Sequence, residues 1–265
     1  MDEALPFADF ARLIPPEALA ALGGAPQQVR VLRGGRQANL CLRIDTPLGD
    51  RVLRVRQPRS NLPGADFARE VACHAAAASF GLAPTVLAAD AARGWMLMPF
   101  VPQASWSREL LEEPGRAERL CRRLARLHAM PVPSAEPFDG GALLDAHRDR
   151  LVARGIDASA ELDEARALAR ELASQARRPP VLCHGDPDVG NLLGPIPLLI
   201  DFEYAQIADP LYDLALLLAY YPSLEPQRED LLEAAGLGTD ADRAELPLRL
   251  AFARMINRLW GLALD

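Results

Sequence analysis

The chain has 265 residues, half of them apolar, which is enough to bury a substantial core and excludes a disordered protein. Its net charge is −7, with 36 acidic side chains against 29 basic ones, all arginine, and this argues against a general nucleic-acid binder. No run of 18 apolar residues occurs, so no membrane span is expected.

The four cysteines, Cys41, Cys73, Cys121 and Cys183, are far apart and include no Cys-x-x-Cys pair. Buried free thiols in a reducing compartment are therefore expected. The acidic N-terminus lacks a positively charged start ahead of an apolar run, so no signal peptide is read and the expected location is cytoplasmic.

Residues 1 to 22 read as a short helical lead-in interrupted by Pro15 and Pro16. Residues 28 to 32 and 39 to 44 are short β-leaning segments, joined by the turn Arg33-Gly-Gly-Arg-Gln37. Residues 51 to 56 alternate charged and apolar side chains, as a half-buried strand does. Asp66 is a good N-cap for a helix running to about Phe80, where Gly81 ends it. Two more strands are expected at 86–89 and 95–101. The order β-β-β-α-β-β suggests a first lobe over residues 1–101. Residues 102–265 are then a mostly helical second lobe, with helices over 115–130, 142–153, 159–177, 211–221, 226–235 and 240–263. In the first of these, Leu120, Leu124 and Leu127 share one face and the arginines lie opposite.

The most informative stretch lies in that second part. His184-Gly-Asp-Pro-Asp-Val-Gly-Asn191 is followed by Leu198-Leu-Ile-Asp-Phe-Glu-Tyr-Ala205. Asn191 follows Asp186 by five positions, and Asp201 follows Asn191 by ten. Short apolar runs at 181–183, 191–193 and 198–200 flank the three and read as short buried strands. Two carboxylates and an amide at strand ends can converge on one cleft, and hard oxygen ligands of this kind suit Mg²⁺. Taken singly, each is also a plausible turn or cap residue. In this order they match the requirements of phosphoryl transfer, in which a base and a metal clamp act on a nucleotide phosphate.

In the first part, Gly34-Gly35 is either a phosphate-approaching turn or an ordinary hairpin. Arg54 sits mid-strand and offers a planar fork to phosphates; the alternative is a solvated edge arginine. Glu70, one turn after Asp66, can orient it through a bidentate pair or lie on the surface.

Together, these motifs resemble the choline kinase, thiamine kinase and aminoglycoside phosphotransferase group, which has a protein-kinase-like fold. The resemblance is carried by His184-Gly-Asp-Pro-Asp-Val-Gly-Asn191, Ile200-Asp-Phe-Glu-Tyr-Ala205 and Asp209-Pro-Leu-Tyr-Asp-Leu214, and more weakly by Gly34-Gly35, Val52 to Val55, Glu70 and the strand from Trp95 to Val101. It implies an α+β, bilobal fold with a small antiparallel β-sheet lobe carrying one helix and a larger, mostly helical lobe.

The resemblance also implies roles. Asp186 is the catalytic base, and Asn191 and Asp201 hold Mg²⁺ against the phosphates of ATP. Arg54 stands where many relatives have lysine and contacts those phosphates, with Glu70 as its partner. The backbone of Met98, Phe100 and Val101 meets adenine. His184 braces the loop. Pro187, directly after the base, is unusual for the group and stiffens the loop.

The acceptor side is read from Asp188, Glu203 and Tyr204, together with the aromatics Phe202, Tyr212, Tyr220, Tyr221, Phe252 and Trp260, for which the alternative is plain core. Aromatic faces beside carboxylates suit an ammonium ligand. The expected partners are therefore ATP and a small hydroxylated cation of choline, ethanolamine or thiamine type. The alternatives are an aminoglycoside or sugar phosphotransferase, and an inactive nucleotide-binding pseudokinase.

Overall fold

The computed structural model describes residues 5–6, 14–32, 39–56, 63–132, 137–175 and 178–264. Gly34 and Gly35 lie outside the described residues. The chain divides into two compact units. One comprises residues 1–105 and 192–203, and the other residues 106–191 and 204–265.

The first unit is built on a mixed-length antiparallel sheet of β1 (Leu5–Pro6), β2 (Gln28–Val31), β3 (Asn39–Asp45), β4 (Arg51–Arg56), β5 (Ala88–Asp90) and β6 (Trp95–Pro99), ordered β1-β2-β3-β4-β6-β5. Strand side chains alternate between faces, and the packing follows that period of two. Leu53 and Val55 of β4 join Leu42, Ile44, Trp95 and Leu97 under helix α1 (Pro16–Ala21), which contributes Ala18. Val52 of β4 and Met96 and Met98 of β6 pack on the other face with Phe67 and Val71 of helix α2 (Phe67–Ser79). Arg54 shares the parity of Val52, so it projects on the α2 side.

The expected cap holds. Asp66 accepts the Arg69 N–H at 3.0 Å, and Gly81 closes α2 in a left-handed conformation. Pro16 starts α1, where its missing N–H costs nothing. A small hairpin of β8 (Leu192–Leu193) and β9 (Leu198–Leu199) also belongs to this unit, tied to it where the Leu199 N–H donates to the Leu82 carbonyl.

The second unit is mainly helical. Its elements are α3 (Arg108–Leu111), α4 (Arg116–His128), α5 (Gly140–Ala153), α6 (Ser159–Ser174), α7 (Leu211–Tyr220), α8 (Arg228–Ala234) and α9 (Asp240–Leu264). Helix α4 buries Leu120, Leu124 and Leu127 and turns Arg119, Arg122 and Arg126 away from them, but Arg123 is buried against the expectation of an all-outward arginine face. Leu144 and Leu151 of α5, Leu162 of α6 and Phe252, Ile256 and Leu259 of α9 form one core. A two-stranded ladder of β7 (Val181–Cys183) and β10 (Gln206–Ala208) emerges from this body and delivers the loop 184–191. Among the described residues no helix is long and apolar enough to cross a membrane, and all four cysteines are free.

Candidate active site

The loop after β7 is held from below by one buried carboxylate. Asp213, on α7 and fully buried, accepts the backbone N–H of His184 at 2.9 Å and that of Gly185 at 2.8 Å. It also contacts His128 Nε2 at 2.8 Å. These donors and the nearby imidazoles keep the Asp213 carboxyl below the ordinary carboxylate range although burial opposes them. Gly185 adopts φ +77°, and a Cβ there would lie 2.1 Å from the Tyr204 carbonyl oxygen, so only glycine fits the turn. His184 is fully buried, and its Nδ1 accepts the Asp186 N–H at 3.3 Å, the bracing role expected of it.

Beyond that turn, Asn191 Nδ2 donates to the Asp186 carboxylate at 2.9 Å and to the Asp186 carbonyl at 3.1 Å. The structure thus brings Asp186 and Asn191 together. The amide uses its NH₂ group on Asp186, which leaves the amide oxygen as the donor atom suited to a metal. Asp188 is engaged within the loop itself: one oxygen accepts the Gly190 N–H and the other the Tyr221 hydroxyl, each at 2.8 Å. Tyr204 meets Trp260 edge to face, ring centroids 5.5 Å apart.

The first unit presents a second constellation, centred on Arg54. Arg54 is 7% exposed, and its guanidinium contacts three carboxylates. Nε lies 2.6 Å from Glu70 Oε1, and one terminal nitrogen is 2.6 Å from Asp201 and 3.0 Å from Glu203. The Glu70 contact is a close ion pair at Nε. Asn39 donates to Glu203 at 2.8 Å.

Three carboxylates around one guanidinium leave the cluster short of positive charge. Burial pushes the Glu70 carboxyl up against the pull of Arg54, while the surrounding carboxylates hold the Arg54 proton all the more firmly. Asp201 is more exposed than Glu70 or Glu203, at 27% of its side chain. Its φ is +65°, a strained value for a residue other than glycine. A hard cation fits this acidic, oxygen-rich donor set.

Of the backbone expected to meet adenine, Pro99 has no N–H and the Phe100 N–H is given to the Asp50 carbonyl at 3.0 Å. Met98 points its side chain into the core, and Arg43 lies over the Phe100 ring at 4.0 Å. Sequence reasoning did not single out Asn39. Its signal was its place at the start of β3, opposite Arg56 and two residues before Cys41, which pairs with Arg54.

Residues 28–248 match the model of the phosphotransferase enzyme family designated APH. The chain belongs to that family. Among solved structures, it is similar to a choline/ethanolamine kinase family protein from Mesorhizobium loti, with 26% identity, a TM-score of 0.73, and coverage of 96% of this chain and 85% of that one. It also shares the fold of choline kinase LicA from Streptococcus pneumoniae (16% identity, TM-score 0.77, 96% of this chain and 90% of that one). A microcompartment-associated aminopropanol kinase has the same fold (20% identity, TM-score 0.65, 93% and 92% covered). No curated protein matches the chain. Family and neighbours make this phosphotransferase a small-molecule kinase with the expected α+β, kinase-like fold.

Proposed function

We propose that the enzyme moves the γ-phosphate of MgATP to the hydroxyl of a small cationic alcohol of choline, ethanolamine or thiamine type. The observation that carries this reading is the Asp186–Asn191 pair, a carboxylate and an amide locked together on a loop that Asp213 pins to α7. In it, Asp186 accepts the proton of the acceptor hydroxyl, and the Asn191 hydrogen bond keeps the carboxylate in one orientation. Asn191 and Asp201 are the residues that would hold Mg²⁺, which when bound neutralises charge on the phosphates. Arg54 contacts the phosphates and is itself aimed by Glu70 and Glu203. Phosphoryl transfer needs positioning and charge stabilisation more than covalent chemistry, and this donor set supplies both.

The cationic acceptor is supported by the Tyr204–Trp260 pair, whose ring faces can receive an ammonium group. It is supported too by the choline/ethanolamine kinase family relative. LicA has been captured with AMP, which supports an adenine nucleotide as donor here. Asp188 accepts one hydrogen bond at each oxygen, from the Gly190 N–H and the Tyr221 hydroxyl, and keeps lone pairs for an acceptor group.

The test is a turnover screen with MgATP against choline, ethanolamine, thiamine, an aminoglycoside and a macrolide, run beside Asp186→Ala. Turnover of an ammonium alcohol that Asp186→Ala abolishes while retaining ATP binding supports the reading. Turnover of the antibiotics alone moves the acceptor class to the sugar phosphotransferases, and nucleotide binding with no turnover on any alcohol makes the chain a pseudokinase. Near wild-type turnover in Asp186→Ala removes it as the base.

A further inference from the structure

One oxygen of Glu203 receives two donors. Arg54 Nη2 donates to Oε2 at 3.0 Å, and Asn39 Nδ2 donates to the same atom at 2.8 Å. An ionised carboxylate only accepts, so the NH₂ end of the Asn39 amide must face Glu203 and its carbonyl end, Oδ1, must turn away. Oδ1 is then buried and has no hydrogen-bond partner among the described residues. A buried acceptor left unpaired costs about as much as a hydrogen bond gains, so Asn39 contributes little net stability. Its amide is retained at that cost, on the partner of a buried arginine. The sheet presents it there: Asn39 and Cys41 share a face of β3, and Cys41 stands opposite Arg54 on β4, which makes Asn39 a diagonal neighbour of Arg54.

The guanidinium shows what this grip can do. Both N–H groups of Nη2 are used, one on Asp201 at 2.6 Å and one on Glu203, and Nε lies 2.6 Å from Glu70. Among the described residues Nη1 meets only Cys41 Sγ at 3.8 Å, a weak acceptor. Nη1 is therefore the end of the fork left for a phosphate oxygen. Of the two carboxylates on Nη2, Asp201 is the one assigned to the metal, which leaves Glu203 to hold that end of the guanidinium. We propose that Asn39 is a positioning residue for the nucleotide: it fixes Glu203, and through Glu203 the guanidinium of Arg54, so that Nη1 stays turned to the phosphates. The inference rests on the kinase reading, in which Arg54 contacts the phosphates of ATP. Asn39 itself touches neither nucleotide nor metal in this scheme; it acts through Glu203.

The experiment compares Asn39→Ala, Asn39→Asp and Glu203→Ala with the parent protein, and repeats Asn39→Ala in the Glu203→Ala background. MgATP binding is measured by titration calorimetry with no acceptor present, and thermal unfolding is recorded alongside. Asn39→Ala should weaken MgATP binding by about fivefold to twentyfold, because the arginine is no longer held in one orientation. Its thermal midpoint should stay within about 4 °C of the parent's, since the lost hydrogen bond and the removed orphan acceptor offset each other. Asn39→Asp keeps the shape but sets a carboxylate against a carboxylate, so it should weaken binding further than Asn39→Ala. In the Glu203→Ala background, Asn39→Ala should change MgATP affinity by less than about twofold, since the residue it acts through is gone.

A merely structural role would lower the thermal midpoint and cost the same affinity in both backgrounds. Equal losses in the two backgrounds overturn the proposal, whatever the midpoints do. A parent that binds MgATP beside an Asn39→Ala variant that binds it equally well overturns the proposal alone. A parent that binds no MgATP overturns the kinase reading and the role of Asn39 with it.

Discussion

His147 gives the sharpest quantitative expectation for this protein. It lies on α5, is fully buried, and has no hydrogen-bond partner at either ring nitrogen among the described residues. Trp260 meets it edge to face at 6.4 Å. Burial, with a smaller push from Arg150, lowers its pKa from 6.5 to about 4. The unfolded chain therefore binds a proton that the folded chain refuses. The stability this contributes is present above pH 6.5 and is lost as pH falls towards 4. A shift of about 2.5 units corresponds to about 3.4 kcal/mol when fully expressed, and to about 2 kcal/mol at pH 5.0.

The perturbation is His147→Phe, which keeps a ring against Trp260 and orphans no hydrogen-bond partner. Urea unfolding at pH 7.5 and 5.0 is the assay. At pH 7.5 the variant should be as stable as the parent or more so, because an unpaired buried polar group costs about 1–3 kcal/mol. Between the two pH values the parent should lose about 2 kcal/mol more than the variant. Carboxylates elsewhere titrate in both proteins and cancel in the difference. If the two pH profiles run parallel, His147 is not held neutral by burial and the reasoning fails.

Two further expectations concern the ionic cluster and the loop turn. Arg54→Lys keeps the charge but cannot span Glu70 on one side and Asp201 with Glu203 on the other, so it should cost about 1.5–3 kcal/mol, and Arg54→Met about 3–5 kcal/mol, by urea unfolding at pH 7.5. Gly81→Ala, at φ +67° with open space around it, should cost about 1 kcal/mol. Gly185→Ala at φ +77° should cost distinctly more and abolish turnover, because its Cβ would strike the Tyr204 backbone; equal losses at the two glycines would contradict the close approach.

Much of the fold was legible because local chemistry and tertiary packing agree. The alternation in Arg51–Arg56, the Asp66 cap and the Gly81 stop each mark an element boundary that the structure keeps to within a residue or two. The meeting of Asp186 and Asn191 was equally readable, because a five-residue step between short strands leaves a loop little freedom. What was not legible depends on partners remote in sequence. Arg54 meets Asp201 and Glu203 across about 150 positions, and nothing local announces that one guanidinium will serve three carboxylates. The tyrosine whose hydroxyl meets Asp188 lies 33 positions on, beyond what the local turn announces. His147 carries no motif at all; only burial sets it apart.

The left-handed backbone of Asp201 sets two selective pressures against each other at one position. Glycine would adopt φ +65° without strain and would relieve the crowding of carboxylates around Arg54. A search for stabler variants, blind to activity, should therefore drift towards glycine at residue 201, while a search for turnover should hold aspartate. Which residue a relative carries there would report whether it has been kept as a catalyst or only as a fold.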